Sequence, residues 1–143
     1  MKTTLRLCLM AWLFVCVGCG KSGPETVRVE GNITFDGKPL AEGKITLTPM
    51  DNTQGGSFAG EIKQGKYEIP KENGPLVGGT YKVEISALAK QGKSLPNVVD
   101  PGGAPLAVFE ELIPPTYNRD TTLSLKASAE AKGFDFNLTK SGK

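Results

Sequence analysis

Residues 27–35 read Val27-Arg28-Val29-Glu30-Gly31-Asn32-Ile33-Thr34-Phe35. Val27, Val29, Ile33 and Phe35 fall on odd positions with Gly31 between them, and Arg28, Glu30, Asn32 and Thr34 fall on even ones. Side chains alternate across a strand, so this stretch is a strand with one dry face and one wet face. Asp36-Gly37 follows, a pair suited to tight hairpin turns, and Lys38-Pro39 continues the turn.

The same period-two pattern recurs down the chain. Ile45 and Leu47 alternate with Lys44, Thr46 and Thr48; Phe58, Gly60 and Ile62 alternate with Ala59 and Glu61. Gln64-Gly65 predicts another tight turn, followed by Tyr67 and Ile69 against Lys66 and Glu68. Tyr81, Val83, Ile85 and Ala87 alternate with Lys82, Glu84 and Ser86; Leu123, Leu125 and Ala127 with Thr122, Ser124 and Lys126; Phe134, Phe136 and Leu138 with Asp135, Asn137 and Thr139. That makes seven strands, each with one apolar face. Eighteen glycines and ten prolines without a repeat period add many turns. A single flat sheet would leave every apolar face wet, and burying each large side chain is worth roughly 1.5–3 kcal/mol. The expectation is therefore an all-β fold, a seven-stranded Greek-key β-sandwich over residues 26–140, with two sheets closed face to face.

The connection over residues 90–118 stands apart from this pattern. It carries Pro96, Pro101, Pro105, Pro114 and Pro115, which stiffen it, and Leu95, Val98, Val99, Leu106, Val108, Phe109, Leu112 and Ile113. Residues 106–113 have room for one or two helical turns before Pro114-Pro115 stops them. The favoured expectation is a lid packed over a sheet edge or an open end. The sharper alternative is a partner surface built on Leu95, Val98, Val99, Val108 and Phe109. Tyr117, just before a late strand, is placed to bond backbone across a corner through its hydroxyl.

Upstream of the body, Lys2 and Arg6 precede an apolar run of residues 7–17. Such a run is too short to span a bilayer, which takes about twenty residues, and has the anatomy of a secretory signal peptide whose apolar core would be helical. It ends in Cys16-Val17-Gly18-Cys19-Gly20. This resembles the lipobox of bacterial lipoproteins, in which the leader is cut before a cysteine that carries diacylglycerol and is then acylated on its new amine. Gly18 and Cys19 fit; Cys16 stands where that pattern has an aliphatic residue. The resemblance implies a leader over residues 1–18, a lipid on Cys19, a polar tether over residues 19–25, and an exported protein held to a cell-envelope membrane.

The chemistry is bounded by what is missing. The chain has no histidine, and its three cysteines and one tryptophan all lie within the first nineteen residues. The body is thus without imidazole, thiol or indole, which argues against most transition-metal sites, thiol catalysis and disulfides, and the expectation is no cofactor and no metal. Without Lys2 and Arg6 the seventeen basic residues become fifteen, matching the fifteen acidic ones, so nucleic acid is not an expected partner. Ala87-Leu88-Ala89-Lys90-Gln91-Gly92-Lys93-Ser94 has the loose spacing of a phosphate loop, but Pro96 follows where a helix must begin, so no nucleotide is expected. Residues 51–56 miss the spacing of a calcium loop. Glu110-Glu111 reads as a solvated acidic pair rather than an acid/base couple.

Val29-x-Gly31-x-Ile33-x-x-Asp36-Gly37-Lys38-Pro39-Leu40-x-x-Gly43-x-Ile45 resembles the opening of carboxypeptidase regulatory-like domains, which have a transthyretin-like (prealbumin-like) fold related in form to immunoglobulin-like sandwiches. Gly65-Lys66-Tyr67, Gly79-Thr80-Tyr81-Lys82-Val83, Ile113-Pro114-Pro115-Thr116-Tyr117-Asn118 and Phe134-Asp135-Phe136-Asn137-Leu138 continue the resemblance to small bacterial lipoproteins of this type. In carboxypeptidases the domain accompanies the enzyme, so the resemblance implies no catalysis. The expectation is a non-enzymatic, lipid-anchored adhesion or scaffold module with an unidentified protein or glycan partner; the alternative is a carbohydrate-binding module. Some related sandwiches carry an internal Lys–Asn isopeptide bond, a further idea to set against the structure.

Overall fold

The computed structural model describes residues 23–99, 101–103, 105–130 and 133–142. Its strands are β1 (Val29–Phe35), β2 (Lys38–Pro39), β3 (Glu42–Pro49), β4 (Phe58–Lys63), β5 (Lys66–Ile69), β6 (Thr80–Ser86), β7 (Leu88–Val99), β8 (Pro105–Glu111), β9 (Ser124–Lys126) and β10 (Phe136–Leu138). The seven expected strands correspond to β1, β3, β4, β5, β6, β9 and β10. The signal-peptide segment and Cys19 lie outside the described residues.

One hydrogen-bonded path runs β10-β1-β5-β4-β3-β6-β9, with β2 paired to β1. Its neighbours are antiparallel except β1 and β10, which run parallel. β1 serves three partners: residues 29–32 pair with β5, residues 33–35 with β10, and residues 34–35 also with β2. The sheet curls, and its inner face is the core. Val29, Ile33, Ile45, Leu47, Ile62, Tyr67, Ile69, Tyr81, Val83, Ile85, Leu125 and Leu138 are all buried there, and Phe35, Phe58, Leu123, Phe134 and Phe136 pack half-buried against them. The residues of opposite parity, such as Glu30, Glu61, Lys63, Lys66 and Glu68, are exposed. The alternation in the sequence thus appears as the two faces of one surface.

Two hairpins close as their sequences require. Asp36 and Gly37 have φ of 50° and 76°, and Gln64 and Gly65 have 52° and 78°. Positive φ at both central residues is the turn geometry whose twist matches that of paired strands. Gly31 is needed for a different reason. A Cβ there would stand 2.0 Å from the carbonyl oxygen of Phe134, because the segment leading into β10 crosses β1 at this point.

All three tyrosines are buried, and each hydroxyl fastens a segment outside the regular strands. The Tyr67 hydroxyl donates to the Phe134 carbonyl at 2.8 Å, and the Tyr81 hydroxyl accepts from the Leu76 N–H at 2.9 Å. Burial pushes the Tyr67 phenol well above its ordinary pKa, with the Asp135 carboxylate adding to the shift. Tyr117 closes the corner expected of it: its hydroxyl lies 3.3 Å from both the Oγ1 and the N–H of Thr139. Ile113 is buried with it, so the end of the long connection seals the core.

The rest of that connection departs from expectation. It is not an irregular loop, and residues 106–113 are not helical. Residues 88–99 and 105–111 pair as an antiparallel ribbon that forms its own two-stranded sheet. β-branched and aromatic residues in 106–109 suit a strand, and pairing with β7 supplies the partners a one-turn helix would lack. Of the described side chains expected to form a lid, Leu106, Phe109 and Leu112 are exposed and Ile113 is buried, so the packing over the core is seen at the C-terminal end of the connection.

Candidate functional site

The ribbon is set by the two ends of its hairpin. β6 ends at Ser86, and Ala87 is buried in the core, which fixes where β7 departs. In β6 the odd positions point inward, so Leu88, on an even position, emerges outward. The Glu111 carboxylate then closes the base, with Oε1 accepting from the Ala87 N–H at 2.8 Å and from the Ile113 N–H at 3.0 Å. The Leu112 N–H donates to the Ala87 carbonyl at 2.8 Å. Glu111 is exposed, as its sequence suggests, and is in addition a latch between β6, the ribbon and the buried Ile113.

The register pairs Leu88 with Glu111, Ala89 with Glu110, Lys90 with Phe109, Ser94 with Ala107 and Val99 with Pro105, with shifts between Lys90 and Ser94 and between Ser94 and Val99. Twelve strand residues in β7 span about 40 Å at most at the usual rise. Of the five residues expected to form a partner surface, Leu95, Val98 and Val99 lie on β7, and Val108 and Phe109 lie on β8. Val108 is half-buried and Phe109 exposed. Leu106 is 40% exposed, and Leu112 flanks β8 beyond its C-terminal end. Leu88 and Glu111 were not singled out as site residues by sequence. For Leu88 a signal existed, since it breaks the odd-position register of residues 81–87.

The entry of the chain lies at the other end of the sheet. Thr26 bridges to Leu76, the Val27 N–H donates to Pro75, and the Val77 N–H donates to Glu25. Leu76 leads within four residues to Thr80, where β6 begins. The ribbon leaves at the far end of β6, about 23 Å away over seven strand residues.

The outer face of β1, β5 and β4 holds a shallow groove of ≈ 880 Å³ lined by side chains that include Glu30, Asn32, Glu61, Lys63, Lys66 and Glu68. Arg28 pairs with Glu68 at 3.1 Å and Lys63 with Glu61 at 2.6 Å. The Lys63 hydrogen bond and charge hold the Glu61 carboxyl below its usual range, and Glu61 correspondingly raises Lys63. The acids and bases here satisfy one another, and exposed pairs of this kind are worth about 0–1 kcal/mol. Tyr67 lines this groove but is buried, with little ring face to offer a sugar; among the described residues, Phe109 on the ribbon is the exposed aromatic. An internal isopeptide bond needs an uncharged, desolvated lysine, and the lysines with described side chains are exposed or half-exposed. Among the described residues no cluster of three carboxylate, thiol or imidazole groups converges on a metal-sized site, and no helix is long and apolar enough to cross a membrane. The phosphate-loop spacing falls largely on β7, which continues as strand through Val99.

No family model matches the chain, and no curated protein does. Among solved structures it is similar to a 9R-lipoxygenase from Cyanothece PCC8801, at 15% identity and a TM-score of 0.34, over 82% of this chain and 17% of that one. The chain thus spans about a sixth of that enzyme's length. The expectation of a non-enzymatic protein is corrected here, because a match to an enzyme structure removes the ground for a flat exclusion. At that TM-score the likeness assigns no activity.

Proposed function

We propose that the chain is an exported cell-envelope protein anchored by lipid on Cys19, whose β domain presents the ribbon of β7 and β8 to a macromolecular partner. In this reading the curled sheet is the Greek-key sandwich of the carboxypeptidase regulatory-like group, and residues 1–18 are a cleaved leader. The observation that carries the proposal is the placement of the ribbon. It bears exposed Leu88, Leu106 and Phe109, pairs with no other strand among the described residues, and leaves the sheet at the end opposite the entry of the chain at Glu25 and Thr26. Exposed apolar side chains gathered on one projecting element are the usual mark of a contact surface. A short tether from Cys19 to Glu25 would hold the entry end toward the bilayer and turn the ribbon away from it.

Two variants test this. Cys19→Ala should release the folded protein from the membrane fraction, because two or more acyl chains are what makes anchoring durable. Replacing residues 88–111 with a short turn should leave anchoring and the main melting transition in place while abolishing complexes recovered by in-cell cross-linking. Retention of the Cys19→Ala protein on membranes would defeat the address, and unchanged complexes without the ribbon would defeat the contact surface.

A further inference from the structure

We infer that the partner of the ribbon is a second copy of this chain, joined edge to edge through β8 about a twofold axis at Val108. The inference rests on the reading of the ribbon as the contact element and goes further by naming its occupant. The two edges of the ribbon are not alike. β7 contains Lys90, Gly92, Lys93 and Pro96 and two register shifts, the devices that keep a strand edge from pairing. β8 carries Leu106-Ala107-Val108-Phe109, with no charge, glycine or proline between its first and sixth residues. Among the described residues its outer edge has no strand beside it.

The backbone decides which residues can pair there. The Leu112 N–H is turned toward β7, since it donates to Ala87. Backbone groups alternate along a strand, so residues 110 and 108 also face β7, and residues 111, 109 and 107 face the free edge. An antiparallel copy must therefore set odd residues against odd residues. Centring the twofold on Val108 puts Ala107 opposite the partner's Phe109, and both residues have the N–H and carbonyl for two fully bonded pairs, with Pro105, which lacks an N–H, falling opposite the partner's Glu111 at each end. It also sets a large side chain against a small one. A centre at Ala107 would place Pro105 opposite the partner's Phe109 and leave one fully bonded pair instead of two. The charges agree with the Val108 register: Glu110 falls opposite the partner's Leu106 and Glu111 opposite the partner's Pro105, so no carboxylate meets another. Two copies held on one bilayer would meet at raised effective concentration, which favours an edge contact of modest area.

The twofold gives a test that reads register. At Val108 the facing pair is not hydrogen-bonded, with a Cα separation of about 4.5 Å, within the range of a disulfide. The body has no cysteine, so a single one introduced into the full chain reports alone, with the unsubstituted chain as control for Cys19. Val108→Cys in intact cells, mildly oxidised, should convert monomer to a reducible dimer. Leu106→Cys and Glu110→Cys should each stay monomeric alone and cross-link when expressed together. A monomeric Val108→Cys, equal cross-linking at all three positions, or a Val108→Cys adduct to a different protein would each overturn the self-pairing. Only the last would leave the ribbon as a contact surface, and a dimer in the unsubstituted chain would point to a free Cys19 thiol and so to failure of the anchor.

Discussion

Replacing Gly31 with alanine asks whether the close crossing of β1 by the segment before β10 holds the curled sheet together. The new Cβ would lie 2.0 Å from the Phe134 oxygen, 2.6 Å from its carbonyl carbon and 2.9 Å from its nitrogen. Ordinary contact begins near 3.4 Å, so the segment must retreat by about 1.4 Å, the difference between the two separations. Three hydrogen bonds converge there: Phe134 N–H to Glu30 at 2.8 Å, Asn32 N–H to the Asp135 carboxylate at 2.7 Å, and the Tyr67 hydroxyl to Phe134 at 2.8 Å. A retreat of that size stretches all of them past bonding distance. At about 1 kcal/mol each, less the roughly 0.5–1 kcal/mol by which alanine is favoured over glycine in a strand, the net loss is about 2–2.5 kcal/mol. For a domain of this size that lowers Tm by roughly 8–12 °C. Thermal and urea unfolding of Gly31→Ala should show this fall, with Gly56→Ala as control, since a Cβ at that loop glycine meets nothing within 4 Å. Combining Gly31→Ala with Tyr67→Phe should cost less than the sum of the two, because both act on the Phe134 carbonyl. A Gly31→Ala protein within about 0.5 kcal/mol of the parent would refute the crossing.

Other outcomes follow from the same contacts. Tyr117→Phe should cost about 1 kcal/mol by urea unfolding through loss of its bonds to Thr139, and no change would remove the corner from the account. Tyr81→Phe should cost more, roughly 1–3 kcal/mol, because the Leu76 N–H is left without its acceptor. Glu111→Ala should speed amide exchange of Ala87 and Ile113 and loosen the ribbon base while Glu111→Gln, which keeps an acceptor oxygen, does so far less; equal effects would mean that charge alone matters. The Lys140 N–H at 2.9 Å, with the Lys140 ammonium beside it, holds the Asp36 carboxyl below its usual pKa. A lowered folded value stabilises the protein above the unfolded carboxylate pKa, and the gain is lost as pH falls through the folded value. Chemical shifts of Asp36 and of the Lys140 amide should therefore titrate together, with a midpoint below that of an unperturbed aspartate.

How much was legible depends on what each residue faces. The seven strands of the main sheet could be read because each has one buried face, and burial writes period two into the sequence. Val83 and Ile85 buried, Lys82 and Glu84 half-exposed, is that rule at work. The ribbon could not be read in the same way. Neither face of β7 is obliged to be dry, so Leu88-Ala89-Lys90-Gln91-Gly92-Lys93 has no alternation, and its register shifts erase what period remained. The parallel pairing of β10 with β1 joins residues about a hundred positions apart and leaves no local mark. Gly31 was visible as a gap in an apolar face, but its reason, the Phe134 carbonyl pressed against it, is tertiary. Glu111 is the exposed acid that the sequence suggests, but its bonds to the Ala87 and Ile113 N–H groups leave no mark in the sequence.

The account stands or falls most directly on the mass of the native protein extracted from membranes. It predicts a chain beginning at Cys19, heavier than residues 19–143 by a diacylglycerol group and bearing an acyl group on its amine. A mature protein whose first residue is unmodified, or one that retains Met1 and the apolar run after it, would contradict the claim that this domain is displayed from a lipid anchor.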